Sequence, residues 1–286
     1  MAVSPQYLTG HAPPPHFIVT GNSFFKYGID LQTLTPFNGV SLCRDSQDFY
    51  YSFKMAEAYF NEVVKNNQYP KFCLIGLAPY GFNNWLDKTI RNFDQQFYFP
   101  IIGHDQMEYH GSKHGNFLEA IFKSKYKSWL NYFIDNFLNS PNKERFTLND
   151  IDWSREWHQK HYALTNAQHL NVADELSIYG HKFYPETIKR NKEILNKYIK
   201  LCRERNVIPI GVVMPFTQMA QRHYPQKALK EFFAMLKPFL NEMELINLWD
   251  TKLPDSYFED TTHLKMTGAV EVSKIIKESV LKILSK

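Results

Sequence analysis

The sequence has few cysteines, and their arrangement does not suggest a covalent framework. Only three of the 286 residues are cysteine. They are Cys43, Cys73 and Cys202, which are widely separated and lack a CxxC spacing. A disulfide scaffold or a structural zinc site requires an even or closely spaced set of cysteines. The cysteine pattern therefore argues against both and is typical of a reducing compartment.

Long apolar runs and an excess of one charge are also lacking. No stretch reaches the roughly 18 apolar residues that cross a bilayer. The start, MAVSPQYLTGHAPPPH, does not have the pattern of a signal peptide. We therefore expect a soluble, cytoplasmic protein with no membrane span. The 33 basic and 29 acidic residues give a net charge of +4, which does not favour nucleic acid as a partner.

Phosphate-binding loops and convincing metal sites are missing as well. Neither a GxGxxG nor a P-loop pattern occurs, which argues against a glycosyl- or phospho-transferase. Two groups of histidines have ligand-like chemistry, but their spacing fixes no third ligand. We predict no metal and no cofactor. The first group is His158, His161 and His169, and the second is His104 and His110 with Asp105.

Short apolar segments alternate with amphipathic helical patterns along the chain. The alternation predicts an α/β fold, a doubly wound parallel sheet of about five strands within a single domain spanning 1–286. The predicted strands are 17–20, 39–42, 72–77, 207–213 and 245–248. The predicted helices are 48–65, 186–205, 227–240 and 265–284.

Residues 83–185 interrupt this alternation. They contain a predicted helix at 117–138 and a tract dense in tryptophan, histidine and tyrosine at 153–184. We interpret the segment as a mostly helical, aromatic-rich insertion or lid at the carboxyl edge of the sheet, where ligands bind in open α/β folds. Trp153 and Trp157 are the rings that we expect to be exposed and to contact a sugar.

Two short motifs carry the chemistry. Ser23 lies in Gly-Asn-Ser directly after the first predicted strand, whereas Asp260 and His263 precede the last predicted helix. A carboxylate can orient an imidazole, whose other nitrogen then activates a serine hydroxyl. Both loops belong at the carboxyl edge, so we expect Ser23 and His263 to converge. The alternative is structural: Ser23 and Asp260 would be helix caps, and His263 would be a packed first-turn residue.

These motifs resemble those of the SGNH, or GDSL-like, hydrolase superfamily. The match consists of Gly21-Asn22-Ser23 and Asp260-Thr261-Thr262-His263 in the right order and separation. The runs CLIGLAPYGF, YPETIKRNKEIL and PIGVVMPFTQ look like those of SGNH-like proteins associated with bacterial surface glycans. The resemblance implies that Ser23 is a nucleophile, that His263 is its base and that Asp260 orients the base.

The resemblance also implies donors that stabilise an oxyanion, and here the sequence departs from the family pattern. The segment SLCRDSQD at 41–48 has Ser46 where the second motif would supply a glycine. The third motif's asparagine has no direct counterpart, because Asn83 and Asn84 come later than expected. We predict an oxyanion and substrate site formed by Asn22, Ser46, Asn83 and Asn84, with the Ser23 N–H as a further donor.

Together these features predict a serine-dependent O-acyl esterase or O-acyltransferase. The resemblance implies a substrate: a bacterial surface polysaccharide such as a capsule, or its precursor, carrying O-acetyl groups. Water as acceptor gives hydrolysis and a sugar hydroxyl gives transfer. Both reactions would use the same residues, so both stay open. The predicted partners are an acylated glycan and an acyl donor. The alternative is a weakly active or non-catalytic glycan-binding or assembly protein that keeps the fold.

Overall fold

The structure is a computed structural model that describes residues 15–63, 68–79, 81–86, 98, 102, 106–108 and 184–286. Most of the predicted insertion lies outside these residues, including the predicted helix 117–138. Trp153, Trp157 and the histidines of the two ligand-like groups also lie outside them. The N-terminal segment 1–14 is outside as well.

A five-stranded parallel sheet forms the centre of the described chain. Its strands are β1 (Phe17–Thr20), β2 (Gly39–Ser41), β3 (Phe72–Leu77), β4 (Ile208–Val213) and β5 (Glu244–Asn247). They lie in the order β2-β1-β3-β4-β5. All four residues of β1 are buried, as expected for a parallel strand covered on both faces. This sheet confirms the predicted α/β fold, and each observed strand end lies within one residue of its prediction.

Six α-helices surround the sheet in the described residues. They are α1 (Ser23–Gly28), α2 (Phe49–Ala58), α3 (Pro185–Arg203), α4 (Gln218–His223), α5 (Gln226–Leu236) and α6 (Met266–Leu284). The predicted helix 48–65 is α2 followed by a π-helical turn, Tyr59–Val63. Helix α4 was not predicted, because six residues are too few to show a helical period. Within the described segments, no helix is both long and apolar enough to span a bilayer.

The strand order reverses direction at β1. The chain leaves β1 for β2 on one side, then returns past β1 to β3 on the other side. Right-handed crossovers therefore put α1 on one face, and α2 and α3 on the opposite face. Contacts agree, since α2 packs on α3 and α6 packs on α1. The carboxyl ends of β1 and β3 form the switch point, the place where open α/β sheets bind ligands.

Two glycines allow close packing at this switch point. Gly21 follows β1 with φ of +153°, and an added Cβ there would lie 2.5 Å from the Phe25 ring. A Cβ on Gly76, in β3, would lie 2.6 Å from the same ring and 2.8 Å from the Thr20 carbonyl oxygen. The ring of Phe25 therefore occupies the space that side chains at these positions would need. It holds α1 against the ends of both strands.

Candidate active site

Ser23 is the first residue of α1, immediately beyond the turn that ends β1. The cap of this helix is Asn22, whose side-chain oxygen accepts a hydrogen bond from Phe24 N at 3.2 Å. The alternative in which Ser23 is the helix cap is therefore wrong. The turn delivers the Ser23 hydroxyl to the carboxyl edge of the sheet, where it contacts a side chain 240 residues later in the chain.

That side chain is the imidazole of His263. Its Nε2 lies 2.8 Å from Ser23 Oγ, and its Nδ1 lies 2.7 Å from Asp260 Oδ2. A proton on Nδ1, donated to the carboxylate, leaves Nε2 free to accept the hydrogen of the serine hydroxyl. The predicted convergence of Ser23 and His263 is confirmed. The catalytic role of the three residues stays a proposal, developed below.

A tight turn holds Asp260 in place. Its Oδ1 accepts hydrogen bonds from Thr262 N at 2.8 Å, from His263 N at 2.7 Å and from Thr262 Oγ1 at 3.2 Å. Glu259 N donates to the His263 carbonyl at 2.8 Å and closes the turn. Helix α6 begins only at Met266, with Lys265 in the cap position. Asp260 is therefore not a helix cap, and the structural alternative for this motif is wrong.

The charge of Asp260 is stabilised in a buried position. Its side chain is 5% exposed, and this burial by itself would raise the pKa of the carboxyl group. Interaction with His263 and the hydrogen bonds from the Thr262 and His263 backbone outweigh burial, and they hold the pKa of Asp260 well below its usual range. The carboxylate therefore stays ionised, and an ionised carboxylate favours a proton on the facing Nδ1 of the imidazole.

Two aromatic rings from α1 border the imidazole. The Phe24 ring centroid lies 4.9 Å from that of His263, and the Tyr27 centroid lies 6.2 Å away in an edge-to-face arrangement. The His263 side chain is 15% exposed. The rings limit the rotation of the imidazole, while its remaining exposed edge can still meet a substrate.

The loop after β2 runs beside the nucleophile turn. Arg44 N donates to the Gly21 carbonyl at 3.2 Å. The Asp45 carboxylate accepts from Lys26 Nζ at 2.8 Å and from the Tyr27 hydroxyl at 3.1 Å. Ser46 follows with φ of +58°, in the left-handed region that glycine adopts most readily. Ser46 thus has a glycine-like backbone at the predicted position of the missing glycine, and its role as an oxyanion donor stays a prediction.

The loop after β3 is fixed by Asn191 of α3, a residue that sequence reasoning missed. Asn191 is fully buried, and its Nδ2 lies 3.1 Å from Phe82 O, 3.2 Å from Asn84 O and 3.4 Å from Gly81 O. The available signal was an asparagine on the mostly apolar buried face of a predicted helix. Asn83 is in the 3₁₀ turn Gly81–Asn83, and its side chain lies outside the described part.

Charged side chains near Asn191 also help to fix the loop after β3. The Arg190 guanidinium pairs with Glu108 and lies 3.5 Å from the fully buried Asp48 carboxylate. Asp48 Oδ2 also accepts from Leu86 N at 3.0 Å, which ties the end of the loop to the start of α2. The loop bearing Asn84 is therefore held at both ends by buried polar groups.

Replacing Asn191 with leucine should loosen this loop. The three backbone carbonyls that accept hydrogen bonds from Asn191 would lose a buried donor. This loss should lower the free energy of unfolding by about 1–3 kcal/mol. We expect a lower melting temperature and a lower kcat on an activated ester, since Asn84 would lose its fixed position. The exposed neighbour Lys192, changed to alanine, is the matched control. Unchanged stability and rate in Asn191→Leu would contradict the anchoring role.

Two concave regions differ in position. The larger, about 630 Å³, is lined by Lys71 and Asn206, which precede β3 and β4 and therefore lie at the amino edge of the sheet. The smaller, about 20 Å³, is lined by Gly21, Asn22 and Asn84 among others and lies at the carboxyl edge. Ser23 also lies at the carboxyl edge, so the larger region, at the opposite edge, is not the candidate site.

The other nucleophiles and metal ligands do not form a rival site in the described residues. Cys43, Cys73 and Cys202 are buried free thiols. Burial raises the pKa of Cys43 to about 12, so its thiol stays protonated. Over the described ranges, no cluster of three or more histidine, cysteine, aspartate or glutamate side chains could hold a metal.

Comparison with known proteins gives likenesses in solved structures alone. No protein-family model and no curated protein sequence matches the chain. The chain is similar to a protein from Bacteroides fragilis provisionally assigned as an acylhydrolase, with 12% identity, a TM-score of 0.45, and coverage of 98% of this chain and 96% of that one. It is also similar to a GDSL-like lipase from Bacteroides thetaiotaomicron, with 10% identity, a TM-score of 0.43 and the same coverage.

Proposed function

We propose that the protein is a serine-dependent acyl-ester hydrolase or acyltransferase. The observation that supports this most directly is the continuous hydrogen-bonded series from Asp260 through His263 to Ser23, with contacts of 2.7 and 2.8 Å. A serine beside an oriented imidazole is the arrangement that nucleophilic acyl transfer requires. These three residues lie at the switch point of the sheet, where a substrate would be expected to bind.

The reaction begins when His263 Nε2 takes the proton of the Ser23 hydroxyl as its oxygen attacks the ester carbonyl. The tetrahedral oxyanion is stabilised by the N–H groups of Ser23 and Ser46 and by the side-chain amide of Asn83 or Asn84. Asn22 fixes the turn that presents the Ser23 N–H. Collapse of the intermediate expels the alcohol, which receives the proton from His263, and leaves an acyl group on Ser23.

The second half of the reaction repeats these roles. His263 removes a proton from the acceptor, whose oxygen attacks the acyl-serine, and Ser23 regains its hydrogen. With water the product is a carboxylic acid, and with a sugar hydroxyl it is a new ester.

We propose an O-acetylated bacterial surface polysaccharide or its precursor as the substrate, on the resemblance of the sequence motifs. Trp153 and Trp157 are its proposed stacking contacts, and the cytoplasm is the proposed compartment.

The test is covalent capture of the nucleophile. A fluorophosphonate should form one adduct per chain, mapped to Ser23 by peptide mass spectrometry, because the oriented imidazole activates that hydroxyl. His263→Ala should label far more slowly at equal protein concentration. Modification of a different residue as the main product would overturn the assignment.

The alternative, a glycan-binding or assembly protein without catalysis, gives a different result. It predicts no adduct at Ser23 and no turnover of p-nitrophenyl acetate above that of Ser23→Ala. Wild type, Ser23→Ala and His263→Ala would then bind an acetylated polysaccharide equally well.

A further inference from the structure

The loop after β4 contacts the turn that carries Asp260 and His263. Thr217, in this loop, is 3% exposed. Its backbone N donates to the Thr261 carbonyl oxygen at 3.1 Å, and its hydroxyl Oγ1 donates to the same oxygen, also at 3.1 Å. Thr261 directly follows Asp260 in the turn. Two donors from one buried residue therefore hold a single carbonyl of the turn.

The carbonyl held by Thr217 belongs to the same peptide unit as the backbone N of Thr262. That N–H donates to Asp260 Oδ1 at 2.8 Å. The peptide unit is trans, and in a planar trans unit the C=O and the N–H point in opposite directions. Thr217 on one side therefore sets the direction in which the N–H meets the carboxylate on the other. The second oxygen of this carboxylate, Oδ2, lies 2.7 Å from His263 Nδ1.

The loop after β4 is itself fixed. Thr217 Oγ1 accepts from Ala220 N at 3.1 Å and thereby caps α4. The preceding residue, Phe216, packs edge-to-face on Phe24 with ring centroids 5.3 Å apart. The Phe24 centroid lies in turn 4.9 Å from that of His263. The loop therefore supports the imidazole in two ways, through the peptide unit of the turn and through the ring beside it.

We propose that Thr217 is a positioning residue that fixes the Asp260 carboxylate and, through it, the orientation of the His263 imidazole towards Ser23. This inference rests on the proposed function, and it adds a third loop of the carboxyl edge to the two that carry the reacting groups. Thr217 acts through the peptide unit between Thr261 and Thr262. Loss of its hydroxyl should therefore lower kcat and leave KM nearly unchanged.

The first test is Thr217→Val, which removes the hydroxyl and keeps the shape of the side chain. The backbone N–H at this position can still donate to Thr261 O, so the turn should persist with a less fixed peptide unit. We expect kcat on p-nitrophenyl acetate to fall roughly 10- to 100-fold, because a small misplacement of a reacting group costs up to about 10² in rate. Thr217→Ser restores the hydroxyl and should recover most of the wild-type kcat.

Thr33→Val is the matched control. Thr33 Oγ1 donates to Asp30 Oδ2 at 2.6 Å, in the segment between α1 and β2 that leads to the amino edge of the sheet. The substitution likewise removes a hydrogen-bonded hydroxyl, but far from the turn, so kcat should stay at the wild-type value. A thermal melt of each variant gives the temperature range in which all of them are folded, and kinetics are measured within that range.

A double variant separates positioning from a general loss of stability. If Thr217 acts through Asp260, Thr217→Val should change kcat less than about threefold in the Asp260→Asn background, because effects transmitted through one group do not add. The full 10- to 100-fold loss in that background would overturn the proposal. Wild-type kcat in the single variant Thr217→Val would overturn it as well.

The imidazole can also be observed without turnover. The proton NMR resonance of His263 Nδ1–H, identified by its absence from His263→Ala, reports the contact with Asp260. It should change in Thr217→Val and return in Thr217→Ser, and an unchanged resonance would contradict the positioning role. If the wild type turns over no ester and Ser23 forms no fluorophosphonate adduct, the proposed function fails, while the resonance still tests the link between Thr217 and the imidazole.

Discussion

Replacing Ser23 with alanine is expected to lower kcat on p-nitrophenyl acetate by on the order of 10⁶ while the protein stays folded. The substitution removes the attacking oxygen and leaves His263 Nε2 without the hydroxyl that lies 2.8 Å away. Folding should be unaffected, because Asn22 rather than Ser23 caps α1. Steady-state kinetics, with a thermal melt of each protein, measures both effects.

His263→Ala should cause a loss of similar size, and the double variant should be no worse than either single one. Groups that act on the same proton in one step lose their effect together, so their effects do not add. The exposed His223 and Ser285, each changed to alanine, are matched controls and should retain full activity. Losses that multiply in the double variant would contradict a shared step.

Asp260→Asn is expected to lower kcat by on the order of 10⁴. An asparagine that donates its amide hydrogen to Nδ1 forces the imidazole proton onto Nε2, where it blocks removal of the serine proton. The side-chain oxygen can still accept from Thr262 N and His263 N, the contacts of 2.8 and 2.7 Å that close the turn. At neutral pH, kcat should therefore fall strongly, whereas the free energy of unfolding should change much less.

The same variant tests the ionisation of Asp260. Because the folded protein holds the pKa of this carboxyl group below its usual range, the carboxylate stabilises the fold at neutral pH. That contribution is lost as the pH falls below about 4 and towards the lower pKa of the folded state. Asp260→Asn should therefore show a smaller loss of stability between pH 5 and pH 2, measured by urea unfolding.

Asp250→Asn, a substitution at an exposed aspartate ten residues before Asp260, is the matched control for both measurements. It should keep wild-type kcat and the wild-type decline of stability in acid. Near-normal turnover by Asp260→Asn would limit Asp260 to a structural role in the turn, and the Ser23 and His263 results would then need another orienting group.

The sheet was predictable from the sequence because its strands are buried on both faces. Segments such as β1 and β3 are continuous apolar runs bounded by turn residues, so their ends could be predicted within a residue. The approach of Ser23 to His263 was predictable for a related reason. Parallel strands bring every following loop to one edge, whatever the separation along the chain.

The supporting residues were not predictable in the same way. Asn191 donates hydrogen bonds to three backbone carbonyls that precede it by more than a hundred residues in the sequence. A local sequence pattern does not predict such long-range contacts. The left-handed backbone of Ser46 could not be predicted either, because a serine in a loop does not by itself indicate this conformation. The small cavity depends on the packing of aromatic rings from several elements, which periodicity does not describe.

The docking of α6 on α1 has a consequence for biosynthesis. Asp30 N, just after α1, donates to Ser273 Oγ of α6 at 2.8 Å, and the imidazole precedes α6 in the chain. Chains emerge from the ribosome with the N-terminal part first. A nascent polypeptide would therefore carry Ser23 without its proposed base until residue 263 has been synthesised. The proposed acyl transfer would begin only after α6 has left the ribosome and packed on α1.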